Sequence, residues 1–406
     1  MKKVFLVLCL VMLVTAPVYA QTAASIVSWS TQENIFPTEP VDYALEMAGG
    51  IAMGEYLYAC GGYLPNASGS PASDSDLVWR WHLDDELGTL EEVVWETKLP
   101  DPDNYAYIFE MVTGYNNAIY IAGGGYNFSA NGGTNPDFVT WNHINSDGSL
   151  DDDPWLQSTV FPTANDKDGP GTGPYAPEMG GSVICENGFL YVFGGDQENT
   201  DSVLSLDCFY AEIQSDGSLG AWQTGTQLPD YFWFGGSCSI GNYIIACPGI
   251  KGSRSRPDCS DLVYVCKVNA DGSMGAWVEQ TEKLPVIIYN QSFDAAGTTI
   301  FCAGGRDNSD GTAEDYVWRS EFNTTTGTTG AWEQTDAQLP APAYYHQLSY
   351  SDYTKRLYVY SIRRSVAPAY PNEVMYSNRL FDLPTPTPPP PTATPSSGLN
   401  TWDVYK

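Results

Sequence analysis

The hydrophobic positions of the chain form short apolar segments, each of which ends at a turn residue. Five of these segments are YLYACGG (56–62), AIYIAGGG (118–125), FLYVFGG (189–195), YIIACPG (243–249) and TIFCAGG (299–305). Short apolar runs that stop at glycine predict buried strands followed by tight turns. A segment of small residues precedes each run and a third strand-like segment follows it, so each repeat is expected to contain at least three strands.

A tryptophan followed five to eight residues later by proline marks a fourth strand. The tryptophans are Trp29, Trp95, Trp155, Trp222, Trp277 and Trp332, spaced 66, 60, 67, 55 and 55 residues apart. Four short strands in a repeat of this length are typical of a β-propeller blade. The last repeat (357–381) has no such tryptophan after it, whereas the segment 25–37 precedes any complete blade. The sequence therefore predicts an all-β, six-bladed propeller closed by its N-terminal strand.

The string QSDGSLGAWQTGTQLP (214–229) has near-copies at 269–285 and 323–340. Asp-Gly between two strands predicts a tight hairpin turn, so we expect Trp222 to pack between blades and Pro229 to end the strand. The Asp box of sialidases has a similar composition, but there glycine is two residues after the aspartate and tryptophan three later. Gly217 directly follows Asp216 and Trp222 is six residues beyond it, which favours a structural role for the string.

The apolar strand, the glycine pair and the later tryptophan resemble the kelch repeat of galactose-oxidase-like propellers, here of an exported bacterial type. The resemblance covers roughly 26–382 and implies a six-bladed kelch-like propeller. Copper oxidase activity is not expected, because the family's copper site needs histidine and tyrosine ligands and a Tyr-Cys cofactor. The chain has only His82, His143 and His346, and the first two occupy matching positions in third strands.

The ends of the chain differ from the repeats. Residues 1–20 have a basic start, an apolar stretch and a small-residue cleavage site, which predict a signal peptide and a secreted, extracellular or periplasmic protein. No later stretch is apolar for long enough to predict a transmembrane helix. The propeller is expected over 21–382, followed by a Pro/Thr-rich linker (383–398) and a short tail (399–406).

Charge and cysteine content narrow the classes of partner. The formal net charge of −31 argues against nucleic acid and against anionic membrane surfaces as partners. Eight cysteines follow the signal peptide, and both disulfides and buried thiols are open alternatives. No CxxC spacing and no DxDxDG loop occur, so neither a zinc site nor a calcium loop is expected. No cofactor is expected, with Ca²⁺ as the remaining alternative.

Candidate site residues precede the first strand of each repeat. Three repeats share Tyr-x-x-Glu-Met, which provides Tyr43, Glu46, Tyr107, Glu110, Tyr175 and Glu178. The other three provide Trp233, Tyr289, Asn290, Tyr345 and His346, and their loops provide Arg254, Arg256, Arg306, Arg363 and Arg364. Because these loops share one face of a propeller, we expect a mouth with carboxylates on one side and arginines on the other.

Two functional interpretations and one structural alternative follow from these residues. The favoured function is a binding module for a glycan or a protein, with aromatic rings stacking on sugars and arginines pairing with carboxylates. The second is a carbohydrate-active enzyme similar to the six-bladed kelch-type sialate mutarotases, with Glu110 and Glu178 as candidate acid–base groups. The structural alternative is that the glutamates satisfy backbone donors and the tyrosines fill the seams between blades.

Overall fold

The structure is a computed structural model. It describes residues 23–36, 47–65, 71–96, 98–100, 111–124, 138–151, 155–162, 180–195, 204–250, 259–364 and 371–381. Their regular elements are all β-strands, arranged as a six-bladed propeller, so the predicted fold is confirmed. The signal peptide, the linker and the tail lie outside these residues and stay predictions. No helix of the described chain is long and apolar enough to cross a membrane.

The first half of the ring follows the order of the chain after an initial strand, β1 (Trp29–Glu33). Blade 1 contains β2 (Gly49–Met53), β3 (Tyr56–Cys60), a side hairpin of β4 (Tyr63–Pro65) and β5 (Pro71–Asp74), then β6 (Val78–Leu83) and β7 (Leu90–Trp95). Blade 2 contains β8 (Met111–Tyr115), β9 (Ala118–Ala122), β10 (Val139–His143) and β11 (Leu156–Gln157). Blade 3 contains β12 (Ser182–Glu186), β13 (Phe189–Phe193), β14 (Cys208–Glu212) and β15 (Gln223–Thr224).

The second half repeats this plan with additions in blade 5. Blade 4 contains β16 (Gly236–Ile240), β17 (Tyr243–Cys247), β18 (Tyr264–Val268) and β19 (Met274–Glu279). Blade 5 contains β20 (Ile288–Tyr289), β21 (Ser292–Ala296), β22 (Thr299–Ala303), β23 (Arg306–Asp307), β24 (Val317–Asn323), β25 (Thr328–Thr329) and β26 (Glu333–Gln334). Blade 6 contains β27 (Gln347–Ser351), β28 (Arg356–Tyr360) and β29 (Glu373–Ser377).

The N-terminal strand completes blade 6. β1 pairs antiparallel with β29, with Trp29 opposite Ser377 and Glu33 opposite Glu373. The first strands of the six blades contact one another in the ring order β2, β8, β12, β16, β21, β27 and back to β2. Both ends of the described chain therefore meet in one sheet. The predicted closure of the ring by the N-terminal strand is confirmed.

The Asp-Gly turns stabilise the seams between blades. At 216–218 the carboxylate of Asp216 accepts hydrogen bonds from the Ser218 amide (3.0 Å) and hydroxyl (2.6 Å). Gly217 has a φ of 82°, which a side chain would disfavour. Its carbonyl accepts a hydrogen bond from the buried Tyr120 hydroxyl of the preceding blade at 2.8 Å. Equivalent bonds join Tyr58 to Gly148 and Tyr191 to Gly272.

Two of the repeated tryptophans, Trp222 and Trp277, lie in the same seams. The Trp222 indole donates to the Thr159 carbonyl of blade 2 at 2.9 Å, and its ring packs on Phe161 at 4.6 Å. The Trp277 indole likewise donates to the Thr226 carbonyl of blade 3 at 3.1 Å. The repeated string at 214–229 therefore builds the fold, as the sequence predicts.

No disulfide joins the eight cysteines of the described residues. Six of them are buried in strands. Burial raises the pKa of Cys247 and of Cys266 to about 12, so both thiols stay protonated at neutral pH. Of the two alternatives that the sequence leaves open, the structure favours buried thiols.

Candidate functional site

A cavity of about 250 Å³ lies on the propeller axis. The first strands of all six blades line it, together with the residues immediately before them. These preceding residues form the mouth on the face where the first strands begin. A concave site shared by six loops is the expected place for a ligand in this fold.

The mouth has a rim of residues in the left-handed backbone conformation, each two positions before a first strand. The rim residues described are Met47, Gly180, Phe234, Asn290 and Tyr345, with φ angles of 59°, 66°, 52°, 57° and 50°. The Phe234 amide donates to the Gly180 carbonyl at 2.8 Å and the Asn290 amide donates to the Phe234 carbonyl at 2.9 Å, so the rim links blades 3, 4 and 5. Non-glycine residues adopt this conformation at a cost, and such residues cluster at functional sites.

One position earlier, blades 4, 5 and 6 each carry an aromatic residue that pairs with the loop after the second strand. Tyr289 pairs with Arg306 in blade 5, and Tyr344 forms a bridge with Arg363 in blade 6. Trp233 forms the corresponding bridge with Ile250 in blade 4. The two arginines therefore occupy equivalent positions in neighbouring blades.

The two arginines and three tyrosines form one group, the arginine–tyrosine cluster (Tyr289, Arg306, Tyr344, Tyr345 and Arg363). The guanidinium carbon of Arg306 lies 4.7 Å from the Tyr344 ring centre and 5.6 Å from that of Tyr289. The guanidinium carbon of Arg363 lies 5.8 Å from the Tyr344 ring centre and 6.0 Å from that of Tyr345. Tyr344 thus contacts two cations, and these cation–π contacts hold both side chains at the mouth.

Aromatic surface extends from the cluster to blade 4. The ring centres of Tyr345 and Phe234 are 5.6 Å apart, and those of Phe234 and Trp233 are 4.4 Å apart. Phe234 and Tyr345 are half-buried and line the cavity. The mouth on this side therefore combines positive charge with aromatic rings.

The electrostatics of the cluster leave Arg306 able to bind an anion. Its Nε donates to the Gly311 carbonyl at 2.8 Å, and no Asp or Glu of the described chain forms an ion pair with it. Burial raises the pKa of Tyr345 to about 12, while the positive charges of Arg306 and Arg363 oppose that rise. Arg364, the residue after Arg363, forms an ion pair with Glu373.

The residues expected on the carboxylate side of the mouth, and two of the arginines, lie outside the described residues, so their roles stay predictions. They are Tyr43, Glu46, Tyr107, Glu110, Tyr175, Glu178, Arg254 and Arg256. The alignment of the Tyr-x-x-Glu-Met segments needs a correction, however. Met111 is the first residue of β8 and faces Ala122, whereas Met47 lies two residues before β2. The segments enter their strands in different registers, so the methionines are not equivalent.

Asp294 is a charged group of the cavity that sequence reasoning missed. Its carboxylate accepts hydrogen bonds from the amides of Tyr350 (2.6 Å) and Ala295 (2.7 Å). Burial raises its pKa from 3.8 to about 6. The only sequence signal is one acidic residue in the otherwise uncharged first strand SFDAA (292–296).

The raised pKa of Asp294 predicts a pH-dependent stability. Ionisation of the half-buried carboxylate costs free energy in the folded state, so the protonated carboxyl stabilises the fold. This stabilisation is complete below pH 3.8 and is lost as the pH rises through about 6. The difference between a pKa of 3.8 and one of about 6 corresponds to at most about 3 kcal/mol, less where water reaches the carboxylate. Urea unfolding of wild type and Asp294→Asn should show their stability difference changing over this range. Asp352→Asn, on the surface, should show no such change; equal pH profiles for wild type and Asp294→Asn would contradict the assignment.

The described residues contain no group of three or more His, Cys, Asp or Glu side chains that could hold a metal ion. The Ca²⁺ alternative depends on the three glutamates outside those residues and is untested.

Comparison with known proteins adds no family to this description. No family model matches the chain, and no curated protein matches it. The six-bladed propeller is therefore established by the structure itself, and the arginine–tyrosine cluster at its mouth is the site on which a functional hypothesis can be built.

Proposed function

We propose that this protein is an exported, kelch-like propeller that binds an acidic glycan at the channel mouth of blades 4–6. The observation that carries the proposal is the placement of Arg306 and Arg363 around Tyr344. Guanidinium groups bind carboxylates through paired, charge-assisted hydrogen bonds. The neighbouring aromatic rings offer faces on which a sugar ring can pack.

The overall charge of the protein indicates how an anionic ligand would be held. With a net charge of −31, the protein repels anions at long range, and salt limits that repulsion to about 8 Å at physiological ionic strength. An anionic ligand is therefore held by short-range contacts with the arginines. A partner protein with an acidic patch is the alternative occupant of the same surface.

A mutarotase-like enzyme is the second candidate. Its proposed acid–base groups, Glu110 and Glu178, lie outside the described residues. The described carboxylate in the cavity is Asp294, whose pKa of about 6 suits proton transfer near neutral pH. Both of its oxygens accept backbone hydrogen bonds, which favours a positioning role for Asp294. The binding function is therefore preferred.

An array of acidic and neutral glycans, probed with the mature chain, tests the proposal. We expect binding to glycans that carry uronate or sialate residues and at least tenfold weaker binding by Arg306→Gln, the effect of losing one charge-assisted contact. Lys267→Gln removes the same charge near the far end of β18, on the opposite face, and should bind like wild type. Absence of binding to any acidic glycan would overturn the proposal.

A further inference from the structure

Three buried polar side chains beside the arginine–tyrosine cluster have atoms without a partner in the described chain. They are Asn290, Gln291 and His346, which are 5%, 4% and 4% exposed. The atoms without a hydrogen-bond partner are both amide atoms of Asn290, Oε1 of Gln291 and Nδ1 of His346. All three side chains line the cavity. Buried polar atoms are almost always paired with protein groups, ordered water or a ligand, so these atoms mark a place where ligand groups can bind.

The histidine offers a hydrogen-bond acceptor. Its Nε2–H donates to the Ala303 carbonyl at 3.1 Å, which leaves Nδ1 unprotonated in the neutral ring. Burial lowers the pKa of His346 to about 4, so the ring is neutral at pH 7. A Cβ on Gly304 would lie 2.7 Å from the ring's Cε1, so the glycine makes room for the ring.

The two amides add acceptors and one donor. Gln291 Nε2 donates to the Cys247 sulfur at 3.6 Å, which leaves its Oε1 as an acceptor. Asn290 presents Oδ1 as an acceptor and Nδ2 as a donor, and its backbone is held by the hydrogen bond to the Phe234 carbonyl. Three acceptors and one donor group favour a ligand that carries several hydroxyl groups, because hydroxyls can donate and a carboxylate cannot.

We infer that the ligand of the arginine–tyrosine cluster is a sugar acid. Its carboxylate meets Arg306 and Arg363, and its hydroxyls enter the cavity to donate to His346, Gln291 and Asn290. The inference rests on the proposed function and deepens it. An acidic peptide also satisfies the arginines, but its donors are mainly backbone N–H groups spread along a chain, whereas the hydroxyls of a sugar acid are clustered on one small ring beside the carboxylate.

Calorimetric titration of the mature chain with two probes tests the inference. Glucuronate and cyclohexanecarboxylate share a six-membered ring and a carboxylate, but only glucuronate carries hydroxyls. We expect wild type to prefer glucuronate by at least about tenfold. Asn290→Gly removes the amide and suits the positive φ, and should reduce the preference to about threefold or less.

The outcomes separate the inference from the function on which it rests. If wild type binds both probes with equal affinity, and Arg306→Gln binds neither, the inference is overturned and the proposed anion site is supported. If neither probe binds to wild type, the proposed function itself is overturned. His346→Phe keeps a ring and removes the acceptor, so we expect it to show a reduced preference for glucuronate. This second variant tests the inference if Asn290→Gly does not fold. An unchanged preference in both variants would also overturn the inference.

Discussion

Truncation of Phe36 to alanine should destabilise the protein by about 3–5 kcal/mol, the usual cost of removing a buried aromatic ring. Phe36 is 4% exposed and follows the closing strand β1. Its ring packs edge-on against Trp79 at 5.4 Å and against Trp81 at 5.0 Å, both in blade 1. The side chain thus joins the last blade to the first.

The substitution removes the contacts of the ring alone, because the backbone of Phe36 is held by separate hydrogen bonds. The Phe36 amide and carbonyl both bond the Asn372 side chain, at 2.8 and 3.2 Å, and these bonds do not involve the ring. Urea unfolding measures the loss. Val27→Ala, in the same segment but 62% exposed, should change stability by less than about 0.5 kcal/mol. Equal effects of the two substitutions would show that this segment does not contribute to closure.

Removal of the carboxylate of Glu373 should also destabilise the fold by about 3–5 kcal/mol, because it leaves the Arg364 guanidinium buried and unpaired. The side chains of Arg364 and Glu373 are only 11% and 9% exposed. Burial raises the pKa of Glu373, and the positive charge of Arg364 opposes that rise. Glu373 begins β29, the strand that receives β1, so its loss weakens the closing sheet.

Glu373→Gln keeps the side-chain shape and is the variant to measure by urea unfolding. The exposed pair of Lys98 and Asp76, 2.8 Å apart, supplies the control. Asp76→Asn should cost no more than about 1 kcal/mol, since exposed ion pairs contribute little. The double variant Arg364→Met, Glu373→Met should be less destabilised than Glu373→Gln. If the double variant is the less stable of the two, the charge argument is wrong.

Most of the fold follows from local sequence patterns. The apolar segments at 56–62 and 118–125 predict β3 and β9, because buried strands show as apolar runs that stop at the glycines of a turn. Ring closure was also predictable, since one tryptophan strand precedes the first blade and none follows the last. The side hairpin β4–β5 was not, because it lies in a variable loop outside the repeat.

The site was only partly predictable. Arg306 and Arg363 could be placed on one face because they follow second strands of neighbouring blades. Arg364 is adjacent to Arg363 in sequence but pairs with Glu373, a contact between distant residues that no local pattern shows. Asp294 lies in an ordinary strand, and its raised pKa depends on burial in the folded ring, which the strand pattern does not show.

A crystal structure of the mature chain with glucuronate tests the central claim most directly. The account predicts the carboxylate within hydrogen-bonding distance, about 3 Å, of the guanidinium groups of Arg306 and Arg363. It also predicts the sugar hydroxyls next to Asn290 and His346 at the cavity. Ordered glucuronate at another surface, or an empty mouth at a saturating concentration, would contradict the account.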